Sequence, residues 1–295
     1  LPSVTSLASL RALPAAIPAR RPFAGFGDPY FSVEQAANAS KPQPVQVAAL
    51  QSRGAFNVRG LPLSLRSAPK TAKLGSAELA QLPRLPDTFS EVRSIAKAVN
   101  ANLNRDVFTG HRATEERVKI ADLSKYKVLA FATHGLEPGD LDGLNQPALA
   151  LSNPKLGKST EDGLLTMGEI LSLRLDADWV VLSACNTASG NGAGAEAFSG
   201  LGRAFFYAGT RALLLSNWPV ETTSAKALTT DLFKRQSENP NLTRAQALRQ
   251  AMLGLIDGNG FVDTKSGKIV FSYAHPIFWA PFSLVGDGGG GKPAI

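Results

Sequence analysis

The chain has 295 residues, 44% of them hydrophobic, and its 31 Lys and Arg against 24 Asp and Glu give a formal net charge of +7. This supplies the core of one large α/β domain or two small ones and excludes a chain disordered throughout. The basic excess is thinly spread, with no Lys/Arg run longer than two residues, so it lacks the clustered footprint of a nucleic-acid binder.

In chain order, LPSVTSLASL has the pattern of a short helix, and RPFAGFGDPY reads as a strand followed by a turn at Asp28-Pro29. Residues 31–86 are rich in Ala, Ser, Gln and Pro with weak periodicity, which predicts an irregular insertion. Order resumes at LPDTFSEVRSIAKAVN. There Thr88 and Glu91 suggest a capping box, and Val92, Ile95 and Val99 follow at helical spacing.

A regular alternation follows. YKVLAFATHG is a buried strand ending near His134, PALALS a short strand, and LTMGEILSLRL a helix capped by Thr166 with Glu169 at its third position. DWVVLSAC is a second buried strand. AEAFSGLGRAFFYAG is a helix that Gly209 stops, and RALLLSNW is a third buried strand. TTSAKALTTDLFKRQ and TRAQALRQAMLGLI are helices, the second capped by Thr243. FWAPFSLVG is a last strand before a glycine-rich tail at 288–295. Near-continuous apolar strands alternating with helices define an α/β fold, a mainly parallel sheet with helices on both faces. In such sheets chemistry gathers at the carboxyl ends of the strands.

The single cysteine, Cys185, cannot form an internal disulfide, which favours a reducing, cytoplasmic setting. No apolar run approaches the ~20 residues that span a bilayer. The chain starts at Leu1 without Met or a signal pattern, and it reads as a fragment of a longer polypeptide.

His134 and Cys185 each lie just past the carboxyl end of a predicted strand, Cys185 51 positions after His134. If the strands are neighbours, imidazole and thiol emerge side by side. A free thiol has a pKa of ~8.5 and is mostly protonated at neutral pH. A neighbouring imidazole can take its proton, which makes a nucleophile for acyl transfer through a thioester. The backbone N–H of Gly135 and the amide of Cys185 are natural donors to the developing oxyanion. Small residues nearby, Ala184, Gly190, Gly192 and Gly194, leave room for a peptide backbone. Taken alone, a lone Cys at a strand end is more often a small buried hydrophobe; the pairing with His134 carries the catalytic reading. Of the other two histidines, His111 opens a polar, solvated stretch, and His275 precedes Pro276 in a turn and suits a structural hydrogen bond. One Cys and three scattered His give no metal-ligand spacing, and no cofactor is expected.

FATHG, DGLLTMGEI, WVVLSACNTASG, AFSGLGRAFFYAGTRALLLSNWPV and HPIFWAPFSLVGD occur in order, and together they resemble the CHAT domain. CHAT domains are caspase-like cysteine peptidases of bacteria and some eukaryotes, relatives of separase, often fused behind TPR repeats. The resemblance covers roughly Phe23 to Asp287 outside the 31–86 stretch. It implies a caspase–haemoglobinase three-layer sandwich, His134 as base and Cys185 as nucleophile. It further implies a protein or peptide substrate, with TPR-type repeats or another regulatory partner upstream of Leu1.

The chain departs from the family pattern in two places. The third strand ends in SNWPV, with Asn217 where the family has Leu, and ETT replaces the usual acidic pair after it. The resemblance places Trp218 along the groove near the P1 side chain, and Ser183, two residues before the Cys, in the P1 pocket. An acid at that position goes with basic P1 residues; Ser183 is uncharged, and Asp140, Asp142, Asp162 or Glu221 would have to supply a carboxylate from a loop. The glycine-rich NTASGNGAGAE after Cys185 suggests a groove that is not preorganised until a partner orders it.

Two rival readings remain. GNGAGA fits G-x-G-x-x-A before a helix, but Cys185 to Ser189 separate it from the strand and no acid ends the next strand, which speaks against a dinucleotide site. The second rival is a non-catalytic interaction or scaffold module on the same fold.

Overall fold

The computed structural model describes residues 8, 19–39, 79–141, 143–157, 159–183, 193–218, 220–258, 260–262 and 269–289. Its centre is a six-stranded sheet built from β1 (Arg21–Gly27), β2 (Val107–Thr109), β3 (Tyr126–Ala132), β7 (Trp179–Leu182), β8 (Ala212–Ser216) and β11 (Phe282–Gly286). The spatial order is β11-β8-β7-β3-β1-β2, parallel throughout except for β11, which runs antiparallel to β8. The strands predicted to carry His134 and Cys185 are therefore neighbours, with Phe131 of β3 in register with Leu182 of β7. A smaller antiparallel sheet of β4 (Gly135–Leu136), β5 (Ala148–Ala150) and β6 (Leu164–Thr166) follows directly from β3, and β9 (Phe261–Val262) pairs with β10 (Ile269–Phe271).

The helices are α1 (Val33–Ala37), α2 (Pro86–Ala98), α3 (Leu103–Asp106), α4 (Glu115–Ile120), α5 (Met167–Ser172), α6 (Ala193–Ala208), α7 (Thr222–Glu238) and α8 (Arg244–Ile256). They cover both faces of the main sheet, because the period-2 alternation of each strand sends apolar side chains both ways. Val128, Ala130 and Ala132 of β3 join Val181 and Leu214 against α2, α7 and α8. Leu129 and Phe131 join Val180 and Leu213 against Val118 of α4, Ile170 of α5 and Phe205 of α6. The result is the three-layer α/β sandwich anticipated from the strand pattern. Among the described residues no helix is long and apolar enough to cross a membrane.

Local signals set several boundaries. Thr166 and Thr243 each form a complete capping box, with Glu169 and Gln246 respectively. Gly209 ends α6 at φ +113°, where an added Cβ would run into the Leu175 carbonyl oxygen.

Other expectations need correction. Thr88 and Glu91 do not form a capping box. Helix α2 starts at Pro86, whose missing N–H and fixed φ suit the first turn, and its cap residue Leu85 makes no side-chain bond. Thr88 lies inside the helix, fully buried; its hydroxyl donates to the Leu85 carbonyl and accepts from the Asp28 N–H, both at 2.7 Å. Glu91 is buried against α7, where the Thr229 hydroxyl donates to it at 3.4 Å. PALALS forms the expected short strand, which belongs to the small sheet, and the helix in LTMGEILSLRL starts after Thr166 as expected but ends at Ser172, short of the final residues. Within the 31–86 stretch, Phe31 and Leu82 are core residues packed with Leu136, and 33–37 form α1. Residues 40–78, like 290–295 of the tail, lie outside the described residues.

Candidate active site

Strand β3 ends at Ala132, and the chain turns through Thr133 and His134 into β4. The turn is held on both sides, the Thr133 hydroxyl donating to the Ala150 carbonyl and the Ala150 N–H donating to the His134 carbonyl at 2.9 Å. His134 is only 2% exposed. Its ring lies 5.4 Å from that of Phe31, tilted by 43°, and its Nε2 donates to the Pro83 carbonyl at 2.8 Å. A carbonyl only accepts, so the neutral imidazole carries its proton on Nε2 and its lone pair on Nδ1. That is the tautomer of a base acting through Nδ1.

In an antiparallel ladder, hydrogen-bonded and non-hydrogen-bonded pairs alternate. The bond from Ala150 N–H to the His134 carbonyl and the register Gly135 with Leu149 put Gly135 at a non-hydrogen-bonded position. Strand β4 is the edge of its sheet, so the Gly135 N–H is directed away from β5.

The neighbouring strand β7 delivers Ser183, 2% exposed, whose N–H donates to the Phe131 carbonyl at 3.1 Å. The structure thus brings His134 and Ser183 to one sheet edge. Cys185 and the glycine-rich residues up to 192 lie outside the described residues; Gly194, from the end of that stretch, is in the α6 backbone. One strand further on, Trp218 is exposed after β8. Beside it, Asn217 ties β8 to β11, its backbone N–H and side-chain amide both donating to the Pro281 carbonyl at 2.8 Å and the amide also to the Ser283 hydroxyl. A Leu here would keep the backbone bond but could not make the two side-chain bonds.

Three of the four loop carboxylates accept bonds from nearby backbone N–H groups. Asp140 accepts from the Glu137 N–H at 2.7 Å, and Asp162 from the Leu164 N–H at 2.8 Å. Glu221 caps α7 through the N–H groups of Thr223 and Ser224. Asp142 lies outside the described residues. His111 is exposed, as expected. His275 caps a short 3-10 turn through Nδ1, which accepts from the Ile277 N–H, the structural role anticipated for it.

Several residues around His134 were not singled out from the sequence. Arg84 forks onto Asp28, Nε to Oδ1 at 2.8 Å and Nη2 to Oδ2 at 2.7 Å. The Gln35 amide donates to the Leu82 carbonyl at 2.7 Å. The Asp28-Pro29 turn signal lay in the sequence; its partner 56 positions away did not.

Away from this edge, Glu115, Glu161 and Glu169 bring carboxylate oxygens within 4.8 Å of one another. The Lys119 ammonium already stands among them, donating to all three at 2.5–2.9 Å. Burial pushes the Glu115 carboxyl up to about 8, against the opposing bond from Lys119. Burial also works on Glu169, but the bonds from Lys119 and Thr166 outweigh it and hold that carboxyl down to about 2.

Fold and site edge together define a caspase-like α/β domain. The CHAT domain family model matches residues 1–287, and the chain belongs to the CHAT family. It is also similar to Tetratricopeptide repeat protein 28 of Mus musculus, 25% identical over 264 residues, covering 76% of this chain and 10% of that protein. The chain thus spans about a tenth of the length of this curated relative.

Proposed function

We propose that this CHAT domain is a cysteine endopeptidase in which Cys185 attacks the scissile carbonyl and His134 takes its proton. The observation that carries the reading is the bond from His134 Nε2 to the Pro83 carbonyl, which leaves Nδ1 as the basic nitrogen on the edge where β7 leads towards Cys185. Loss of the thiol proton to Nδ1 gives a thiolate–imidazolium pair; attack forms the tetrahedral intermediate, and its collapse expels the amine with the proton returned by His134, leaving a thioester on Cys185 that water, deprotonated by His134, hydrolyses to release the acid and restore the thiol. The outward N–H of Gly135 suits the oxyanion, and Ser183 and Trp218 flank the substrate side chain. With Ser183 uncharged, and Asp140, Asp162 and Glu221 each bound to backbone N–H groups, nothing in the described residues favours a basic P1 side chain.

The similarity to a tetratricopeptide repeat protein supports control by TPR-type repeats or a partner upstream; the reading of a bacterial, cytoplasmic effector rests on the sequence resemblance and the single cysteine alone. The deep burial of His134 is what favours the second reading, a scaffold module on the same fold. An electrophilic peptide ketone separates the two. Covalent adduct on Cys185, found by mass spectrometry and lost in His134→Ala, together with peptide cleavage abolished by Cys185→Ala, supports the peptidase. Cleavage that persists in Cys185→Ala, or a thiol as unreactive as in denatured protein, overturns it.

A further inference from the structure

The Pro83 carbonyl that orients His134 belongs to an irregular segment with no strand partner. Its position therefore depends on side chains. Leu82 anchors one side, buried against Phe31 and Leu136. On the other side the next residue, Arg84, is clamped to Asp28 by the two-pronged contact at 2.8 and 2.7 Å. A forked guanidinium–carboxylate pair fixes orientation as well as distance.

Asp28 is itself immobilised. It follows the last residue of β1, adopts φ +47°, and is 1% exposed. Its N–H donates to Thr88 and its carbonyl accepts from the Gly110 N–H at 3.0 Å. Because Gly27 is in register with Ala132, Asp28 stands at the level where β3 gives way to His134. Arg84 lies 4.8 Å from the centre of the Tyr30 ring, which closes its outer side.

We propose that Asp28 and Arg84 are a positioning pair for the candidate base: by holding the Pro83 carbonyl against His134 Nε2, they set the imidazole tautomer that leaves Nδ1 to act on the thiol. This rests on the Cys185–His134 reading. The energetics of the pair agree with a positional role. Burial is the largest influence on Asp28 and raises its carboxyl in spite of Arg84. A buried pair of this kind adds little to stability compared with apolar residues of the same volume. What it does provide is a rigid link from the central sheet to one carbonyl oxygen.

The test compares wild type with Arg84→Lys, which keeps the charge but not the fork, and with the double variant Asp28→Leu/Arg84→Met, which leaves no unpaired buried charge. The first readout is the long-range nitrogen–proton NMR spectrum of His134 in the 295-residue chain. Wild type should show one Nε2-protonated tautomer; the double variant should show a mixture of tautomers while circular dichroism stays native. The second readout is peptide cleavage, where kcat should fall by up to about 10²-fold, the scale of a small misplacement of a reacting group, with KM little changed. Arg84→Lys should fall between. An unchanged tautomer in a folded double variant, or a loss confined to KM, overturns the proposal. Because the NMR readout needs no activity, it stands if the Cys185 reading fails, and cleavage lost in Cys185→Ala alone leaves that reading intact while this one falls.

Discussion

His134 and Pro83, 51 positions apart in the chain, meet through one hydrogen bond of 2.8 Å from Nε2 to a main-chain carbonyl. The bond decides which ring nitrogen is basic, and replacing the imidazole should cost the proton-transfer step. His134→Ala is expected to lower kcat for peptide cleavage by about 10²–10⁴-fold, the usual value of a positioned acid–base group. Steady-state kinetics checks this, with a melting curve to show that the variant remains folded. A loss below threefold would remove His134 from the mechanism.

The Lys119 cluster predicts an unusual dependence of stability on pH. The Glu115 carboxyl is raised to about 8 from an ordinary 4.5, so its contribution is full below about 4.5 and is lost as pH rises through about 8. Glu169 is lowered to about 2, so its contribution is present above 4.5 and is lost as pH falls towards about 2. Melting temperature should therefore decline from mildly acidic to alkaline pH, and Glu115→Gln, which mimics the protonated form, should flatten the alkaline side. An unaltered pH profile in Glu115→Gln would refute the assignment.

Gly209→Ala should be strongly destabilising. The position combines φ +113° with a Leu175 carbonyl oxygen in the path of a Cβ. Backbone strain alone is worth about 1–3 kcal/mol, and the clash adds to it. Gly157→Ala is the control: nothing lies within 4 Å of its Cβ position, and its effect should stay within about 0.5 kcal/mol. Chemical denaturation of both variants measures the difference.

Thr88→Val should cost more than Thr243→Ala. The first leaves the buried Asp28 N–H without its acceptor, a loss of about 1–3 kcal/mol. The second removes an exposed helix cap worth about 1 kcal/mol. Thr88→Ser retains the hydroxyl and should recover most of the loss. Equal destabilisation by the two Thr variants would show that the hydroxyl of Thr88 is not what matters.

The elements of the main sheet were legible in the residues because burial on two faces demands long apolar runs and each helix shows its period and caps locally. YKVLAFATHG, DWVVLSAC and RALLLSNW could hardly be other than central strands, and Thr166 and Thr243 marked helix starts that the structure keeps. From these runs the sequence determined a parallel α/β domain and put His134 at a strand's carboxyl end. It did not determine strand order. That β3 and β7 are neighbours follows from how the helices pack across two faces at once, and no single segment carries that information. Nor could it separate the capping pattern at Thr88 from the buried bond to Asp28, since the same T-x-x-E serves either use and only the neighbouring strand selects one. The partner of His134 was the least legible, because the acceptor is a backbone carbonyl, a group every residue possesses. Only the tertiary structure, through Asp28 and Arg84, decides that the carbonyl of Pro83 is the one that arrives there.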